Sequence, residues 1–155
     1  MIPGTTAVTP DTITKQVTIQ APPSRVWRAL TTRAEFATWF GMELDADFEV
    51  GKATRGTVTY QGKPITMPLY VERMDAESVF AFRWHPFAVE PGVDYEAEPT
   101  TLVEIKLEPA GRGTRLTVIE SGFERIPEHR RARAFAMNSQ GWAIQVENIA
   151  RHVDA

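Results

Sequence analysis

The 155-residue sequence contains no cysteine. That absence excludes a disulfide framework, zinc–thiolate sites, iron–sulfur clusters and cysteine nucleophiles together. Histidine is scarce, with three residues. His129 and His152 fall on one expected helix, roughly 35 Å apart at the α-helical rise, and His85 stands alone at a strand end. Asp45, Asp47 and Glu49 resemble the start of a calcium loop, but Val50 occupies the position that needs glycine. No metal site is expected. Positive charge is not in excess either: 17 Lys and Arg against 20 Asp and Glu give a net charge of -3. The chain therefore lacks the basic footprint of a nucleic-acid binder. No apolar run approaches the roughly 20 residues of a membrane span. The opening MIPGTTAVTPDT lacks the basic and apolar regions of an export signal, so a cytoplasmic location is expected.

Catalytic and cofactor motifs are missing as well. Gly51-Lys52-Ala53-Thr54 has no upstream phosphate-loop glycine and precedes a strand, and Gly111-Arg112-Gly113 lacks the third glycine of a dinucleotide fingerprint. Both read as turns, and no cofactor is expected. There is no G-x-S-x-G and no S-x-x-K. Neither Ser121 nor Ser139 has a histidine placed to activate it.

What is present is an ordinary globular mix, 43% hydrophobic and 24% charged, in a chain of single-domain length. Residues 1–11 are Pro/Thr/Gly-rich and read as a flexible N-terminus; residues 12–153 read as one domain. From Thr12, Ile13, Val17 and Ile19 share one face of a strand. Pro22 and Pro23 suit the first turn of a helix carrying Val26, Trp27 and Leu30. Thr32 to Glu35 has the form of a capping box for a second helix, bearing Phe36, Trp39 and Phe40 and ending at Gly41. Leu44, Ala46, Phe48 and Val50 alternate with acidic residues as a half-buried strand would. Further strands are expected at 53–61, 65–74, 79–84, 100–108 and 115–121. Between the last pairs, 85–99 is a long aperiodic stretch, the kind of loop that serves as a lid or a mobile segment. A final helix from Pro127 to Val153 carries Phe135, Ser139, Trp142, Val146, Ile149 and Val153 on one stripe.

This order predicts an α+β fold: a curved, mostly antiparallel sheet of about seven strands, two short helices after the first strand, and a long C-terminal helix covering the apolar face. Such a sheet gripping one helix leaves a concave site for a small molecule. Trp39, Phe40, Phe82, Trp84, Phe123 and Trp142 are the aromatic candidates for its walls. Asn138 and Ser139 supply polar groups from the helix. Phe87, Val89 and Tyr95 are the loop residues that would touch a ligand if 85–99 forms a lid. Period two places Glu120 on the face of Leu116 and Val118. At a strand end beside Gly122, solvation or a salt bridge is the expected fate of that carboxylate. If it points inward, desolvation raises its pKa and makes it the best polar anchor. Glu120 and His85 are the only candidates for an acid or base.

Four segments resemble one family: ITKQVTIQAPPSRVWRALTTRAEFATWFG, FAFRWHPF, TTLVEIKLEPAGRGTRLTVIESGF and NSQGWAIQVENIARHV. They are similar to the SRPBCC or START-like superfamily, and within it to the branch of activator-of-heat-shock-protein-90-ATPase homologues, from about Thr12 to Val153. The resemblance implies the helix-grip fold of the major birch-pollen allergen. Its members include lipid carriers, hormone receptors, polyketide aromatases and cyclases, and Rieske oxygenase domains. Eukaryotic activators carry a separate N-terminal domain, for which the eleven residues before the first strand leave no room. The primary expectation is a small protein that holds a hydrophobic or aromatic molecule, lipids included, without catalysis. The alternatives are a cyclase or dehydratase using a cavity carboxylate, and a co-chaperone-like protein acting on a stress-protein ATPase.

Overall fold

The computed structural model describes residues 10–154. Strand β1 (Thr12–Ile19) leads to helices α1 (Pro23–Thr31) and α2 (Arg33–Phe40). Strands β2 (Glu43–Leu44), β3 (Ala53–Tyr60), β4 (Lys63–Asp75), β5 (Val79–Trp84), β6 (Thr101–Ala110) and β7 (Gly113–Ser121) follow, and α3 (Glu128–Asp154) closes the chain. The seven strands form one sheet in the order β1-β7-β6-β5-β4-β3-β2, with every neighbour antiparallel. The hydrophobic alternation of each strand turns one face inward, and α3 lies across it, packed against β1, β7 and the two short helices. The register shifts between Val71 and Arg73, an irregularity of the kind that bends a strand.

Two local expectations fail. The alternating segment after Leu44 is not a strand. The ladder stops at Leu44, where the Asp45 side chain takes a backbone amide and the Asp47 carbonyl takes a side-chain hydroxyl. Asp45 Oδ1 accepts from the Arg55 amide at 2.9 Å, and the Asp47 carbonyl accepts from Thr54 Oγ1 at 3.3 Å. Phe48 alone returns to the core, while Ala46 and Val50 face outward. The capping box at Thr32 also does not form, since Thr32 makes no side-chain cap. Gly41 does end α2 in the left-handed conformation, φ 81°, and its amide closes on the Ala37 carbonyl.

Glu35 has stronger partners than its own helix terminus. It accepts from Arg25 of α1 and pairs with His152 of α3, both at 2.8 Å, with Arg28 3.3 Å away. This cluster ties all three helices together. Burial, the largest single influence, pushes the Glu35 carboxyl up. The hydrogen bonds and charges of His152 and Arg25 together outweigh it and hold the group below its ordinary 4.5. A carboxyl lowered in the folded state stabilises above its ordinary pKa, and that stability is lost as pH falls through the folded value. Glu35→Gln is therefore expected to cost about 1 kcal/mol at neutral pH. In denaturant titrations the two proteins should converge in acid; a constant difference at every pH would refute the ion-pair role.

Candidate functional site

Strand β7 carries Glu120 between two apolar cross-strand neighbours, Ile13 on β1 and Val103 on β6. The carboxylate is fully buried, so the expectation of a solvated or salt-bridged strand end is overturned. Strand β7 continues one residue past Glu120 before Gly122 turns the chain, and α3 covers that end. Burying an unpaired carboxylate is prohibitive, so donors must converge on it. Four do. Oε1 accepts from Trp142 Nε1 at 2.8 Å and Asn138 Nδ2 at 3.1 Å. Oε2 accepts from Thr101 Oγ1 at 2.6 Å, Trp84 Nε1 at 2.9 Å and Asn138 Nδ2 at 3.2 Å. These contacts occupy the lone-pair sites of both oxygens. Burial pushes the Glu120 pKa up from its ordinary 4.5, opposed by the hydrogen bonds from Thr101, Trp84, Trp142 and Asn138.

The four donors belong to three elements: Trp84 to β5, Thr101 to β6, Asn138 and Trp142 to α3. Trp84 and Trp142 are held with ring centres 5.8 Å apart, and Phe40 closes the triangle at 6.2 and 5.9 Å. Two recesses open beside this triangle. One, of about 150 Å³, is bounded by Met42, Val58, Met67, His85, Phe87 and Val89. The other, of about 160 Å³, is bounded by Gly141, Trp142 and Gln145. They share Phe40, Trp84 and Asn138 as a common wall. Deeper along α3 the space between helix and sheet is filled. A void of about 10 Å³ lined by Trp39, Ile105, Leu116 and Trp142 has room for at most one water.

The expected residues thus divide. Phe40, Trp84, Asn138 and Trp142 line the recesses, and His85 joins them. Glu120 lines neither; it lies behind the wall it holds. Trp39 is a core strut, its Nε1 donating to the Ala29 carbonyl at 2.8 Å. Phe82 is buried against Phe80 and Trp84, and Phe123 against Phe135, both away from the recesses. Ser139 is half-buried and lines neither space, because the lining stripe is Asn138, Gly141, Trp142 and Gln145, at helical spacings of three and four. Sequence reasoning missed Thr101, Met42, Met67 and Gly141. Thr101 was recoverable only through its register opposite Trp84. Gly141 carried a signal of its own: a glycine inside a 27-residue helix costs about 1 kcal/mol relative to alanine. A Cβ there would meet nothing within 4 Å. A Cβ on Gly56, by contrast, would fall 2.2 Å from Met42 Sδ, so Gly56 makes room for that wall residue.

The 85–100 loop is strapped to α3. Arg130 pairs with Glu98 at 2.6 Å, donates from Nη1 to the Pro86 carbonyl at 2.7 Å, and lies 4.9 Å over the Tyr95 ring. Tyr95 thereby serves the strap; it lines no recess. Phe87 holds a φ of 50°, costly for an aromatic residue, against Tyr60 and beneath Arg133. Phe87 and Val89 stand between the inner recess and an outer groove of about 380 Å³ carrying Tyr60, Lys63, Ile65, Glu90 and Arg133. Among the described residues no three His, Asp or Glu side chains are placed to share a metal ion, and no helix is long and apolar enough to cross a membrane.

Glu120→Ala should destabilise by about 2–4 kcal/mol, since it strands buried donors. The pH dependence separates charge from shape. An acid raised in the folded state contributes most below its ordinary pKa and loses that contribution as pH rises through the folded value. The stability of wild type relative to Glu120→Gln is therefore expected to fall as pH rises above 4.5. A flat difference from acid to neutral pH would contradict a buried, titrating Glu120.

The Activator of Hsp90 ATPase homolog 1-like family model matches residues 20–154. No curated protein matches the sequence. Among solved structures, protein MLL2253 from Mesorhizobium loti is similar at 23% identity and a TM-score of 0.72, over 92% of this chain and 96% of that one. DynU16, from the dynemicin biosynthetic locus, is similar at 26% identity and a TM-score of 0.73, over 94% of this chain and 48% of that one. The Aha1 dimer from Colwellia psychrerythraea is similar at 16% identity and a TM-score of 0.65, over 88% of this chain and 90% of that one. The family match spans most of the domain and the strand order is the helix-grip arrangement, so this chain belongs to the Activator of Hsp90 ATPase homolog 1-like family of the SRPBCC superfamily.

Proposed function

We propose that this protein is a small cytoplasmic binder that holds a hydrophobic or aromatic molecule in the paired recesses beside Trp84 and Trp142, without acting on it chemically. The observation that carries this reading is the glycine at position 141. A long helix gives up about 1 kcal/mol at a position that borders one recess and where a Cβ would enter open space. Aromatic walls with few polar groups are the usual make-up of a small-molecule site. The volumes suit a ligand of one or two rings, not a long lipid chain. Entry runs from the outer groove past Phe87.

The cyclase or dehydratase alternative requires a carboxylate that reaches substrate. Glu120 has its oxygens engaged by four donors and lines neither recess, which weakens that alternative and makes Glu120 a positioning residue. DynU16 comes from a biosynthetic locus and keeps the enzyme reading in view. The co-chaperone alternative draws on the family's description.

Naphthalene-class probes and medium-chain fatty acids, titrated against tryptophan fluorescence, test the proposal. Saturable quenching by the aromatic probes is expected. Gly141→Ala should raise stability by about 0.5–1 kcal/mol. Gly141→Leu, which fills the recess, should weaken binding about tenfold or more while the protein stays folded. Absence of any saturable response, or unchanged binding in Gly141→Leu, would count against the paired recesses as the site.

A further inference from the structure

The polar groups on the recess wall have a definite polarity, and it is set from behind the wall. Asn138 presents an amide whose two ends differ, and its orientation is fixed by chemistry. Both Glu120 oxygens lie within 3.2 Å of one amide atom, and each also accepts from an indole N–H; an amide nitrogen can donate to both, whereas an amide oxygen could meet at most the one oxygen that carried a proton. That atom is therefore the nitrogen, and the carbonyl oxygen Oδ1 is turned away from Glu120. Among the described residues no donor reaches Oδ1. Asn138 forms part of the wall common to both recesses.

His85 is fixed by the same logic. Its Nε2 lies 3.2 Å from the backbone carbonyl of Glu98, and a carbonyl only accepts. Nε2 is therefore a protonated nitrogen, and in that tautomer Nδ1 is the acceptor. Among the described residues nothing donates to Nδ1. The ring is almost wholly buried on the wall of the inner recess. The third polar lining residue is already spent: Gln145 Nε2 donates to the Phe40 carbonyl and its Oε1 accepts from Asn148.

We infer that the site selects an aromatic molecule bearing a hydrogen-bond donor, a phenol-type hydroxyl or ring N–H, which donates to Asn138 Oδ1 or His85 Nδ1. The inference rests on the binding reading above and adds the ligand's chemistry to it. A purely apolar ring would leave buried acceptors unpaired, and an acceptor-only ligand would set lone pair against lone pair. Glu120 acts in this selection as a positioning residue, because it decides which end of Asn138 faces the ligand.

Calorimetric titration with β-naphthol and its methyl ether tests the inference, since the ether keeps the rings and removes the donor. β-Naphthol is expected to bind about tenfold more tightly to the wild type. In Asn138→Leu the preference should shrink while affinity for the ether is retained, which also shows that the variant is folded. Any steric handicap of the ether would persist in that variant, so loss of preference isolates the hydrogen bond. If Asn138→Leu does not fold, nitrogen-15 spectra of the wild type decide. The His85 ring and Asn138 side-chain signals should shift with β-naphthol and not with the ether. Equal affinity for both probes, or identical shifts with both, would overturn the donor inference and leave the binding proposal standing. Binding of neither probe would overturn both.

Discussion

The site is organised around one buried carboxyl group. A carboxylate placed between Ile13 and Val103, under a helix, is tolerated only if the surrounding groups solvate it. Here the solvation comes from side chains on β5, β6 and α3. Each donor is fixed in turn by the carboxyl oxygen it meets. Two indole rings cannot rotate without losing the Glu120 oxygens, and an amide on α3 cannot flip. The cost of burying Glu120 thus reappears as rigidity in the wall of a recess. That is what a binding site needs and what an all-apolar core would not supply so specifically.

The rest of the fold keeps α3 where this network requires it. Near its C-terminus, His152 meets the Glu35 cluster and so fastens α3 to α1 and α2. Near its N-terminus, Arg130 grips Glu98 and the Pro86 carbonyl and so fastens it to the 85–100 loop. Trp39 braces α2 against α1 through the Ala29 carbonyl. Between the two fastened ends the helix spans the open recess at Gly141 without collapsing onto it. The space is therefore local. Toward the C-terminal half of α3, Val146, Ile149 and Val153 are buried in the core.

This arrangement bears on how the family's members differ. A shared helix-grip fold fixes where a cavity can form, but function resides in the residues that line it. In this chain the lining is aromatic and sulfur-rich, with Met42 and Met67 as well as Phe40 and Trp84 on its walls. Methionine adapts its shape to irregular ligands. Such walls suit binding and release of a compact apolar molecule better than the holding of a charged one.

Much of the architecture is written in the sequence. Period-two alternation marks most strands, because one half-buried face leaves a clear pattern, and the stripe on α3 marks the element that covers them. The pattern misleads at Leu44–Val50, where the Asp45 side chain takes the Arg55 amide and the Asp47 carbonyl takes the Thr54 hydroxyl instead of joining a ladder. It also misleads at Thr32, where Glu35 finds partners on the preceding helix and on α3 instead of its own helix terminus. The inward side of Glu120 follows from Leu116 and Val118. Its burial does not, because that depends on where α3 lands and on Thr101, Asn138 and the two tryptophans, between 18 and 36 residues away. The sequence by itself determined the order of elements along the chain, the lack of thiol and phosphate-loop motifs, and a short set of aromatic and polar candidates. Only the tertiary structure decided which of them face a cavity and which fill the core. That depends on the angle at which a helix crosses a curved sheet, a property of the whole packing and not of any local pattern.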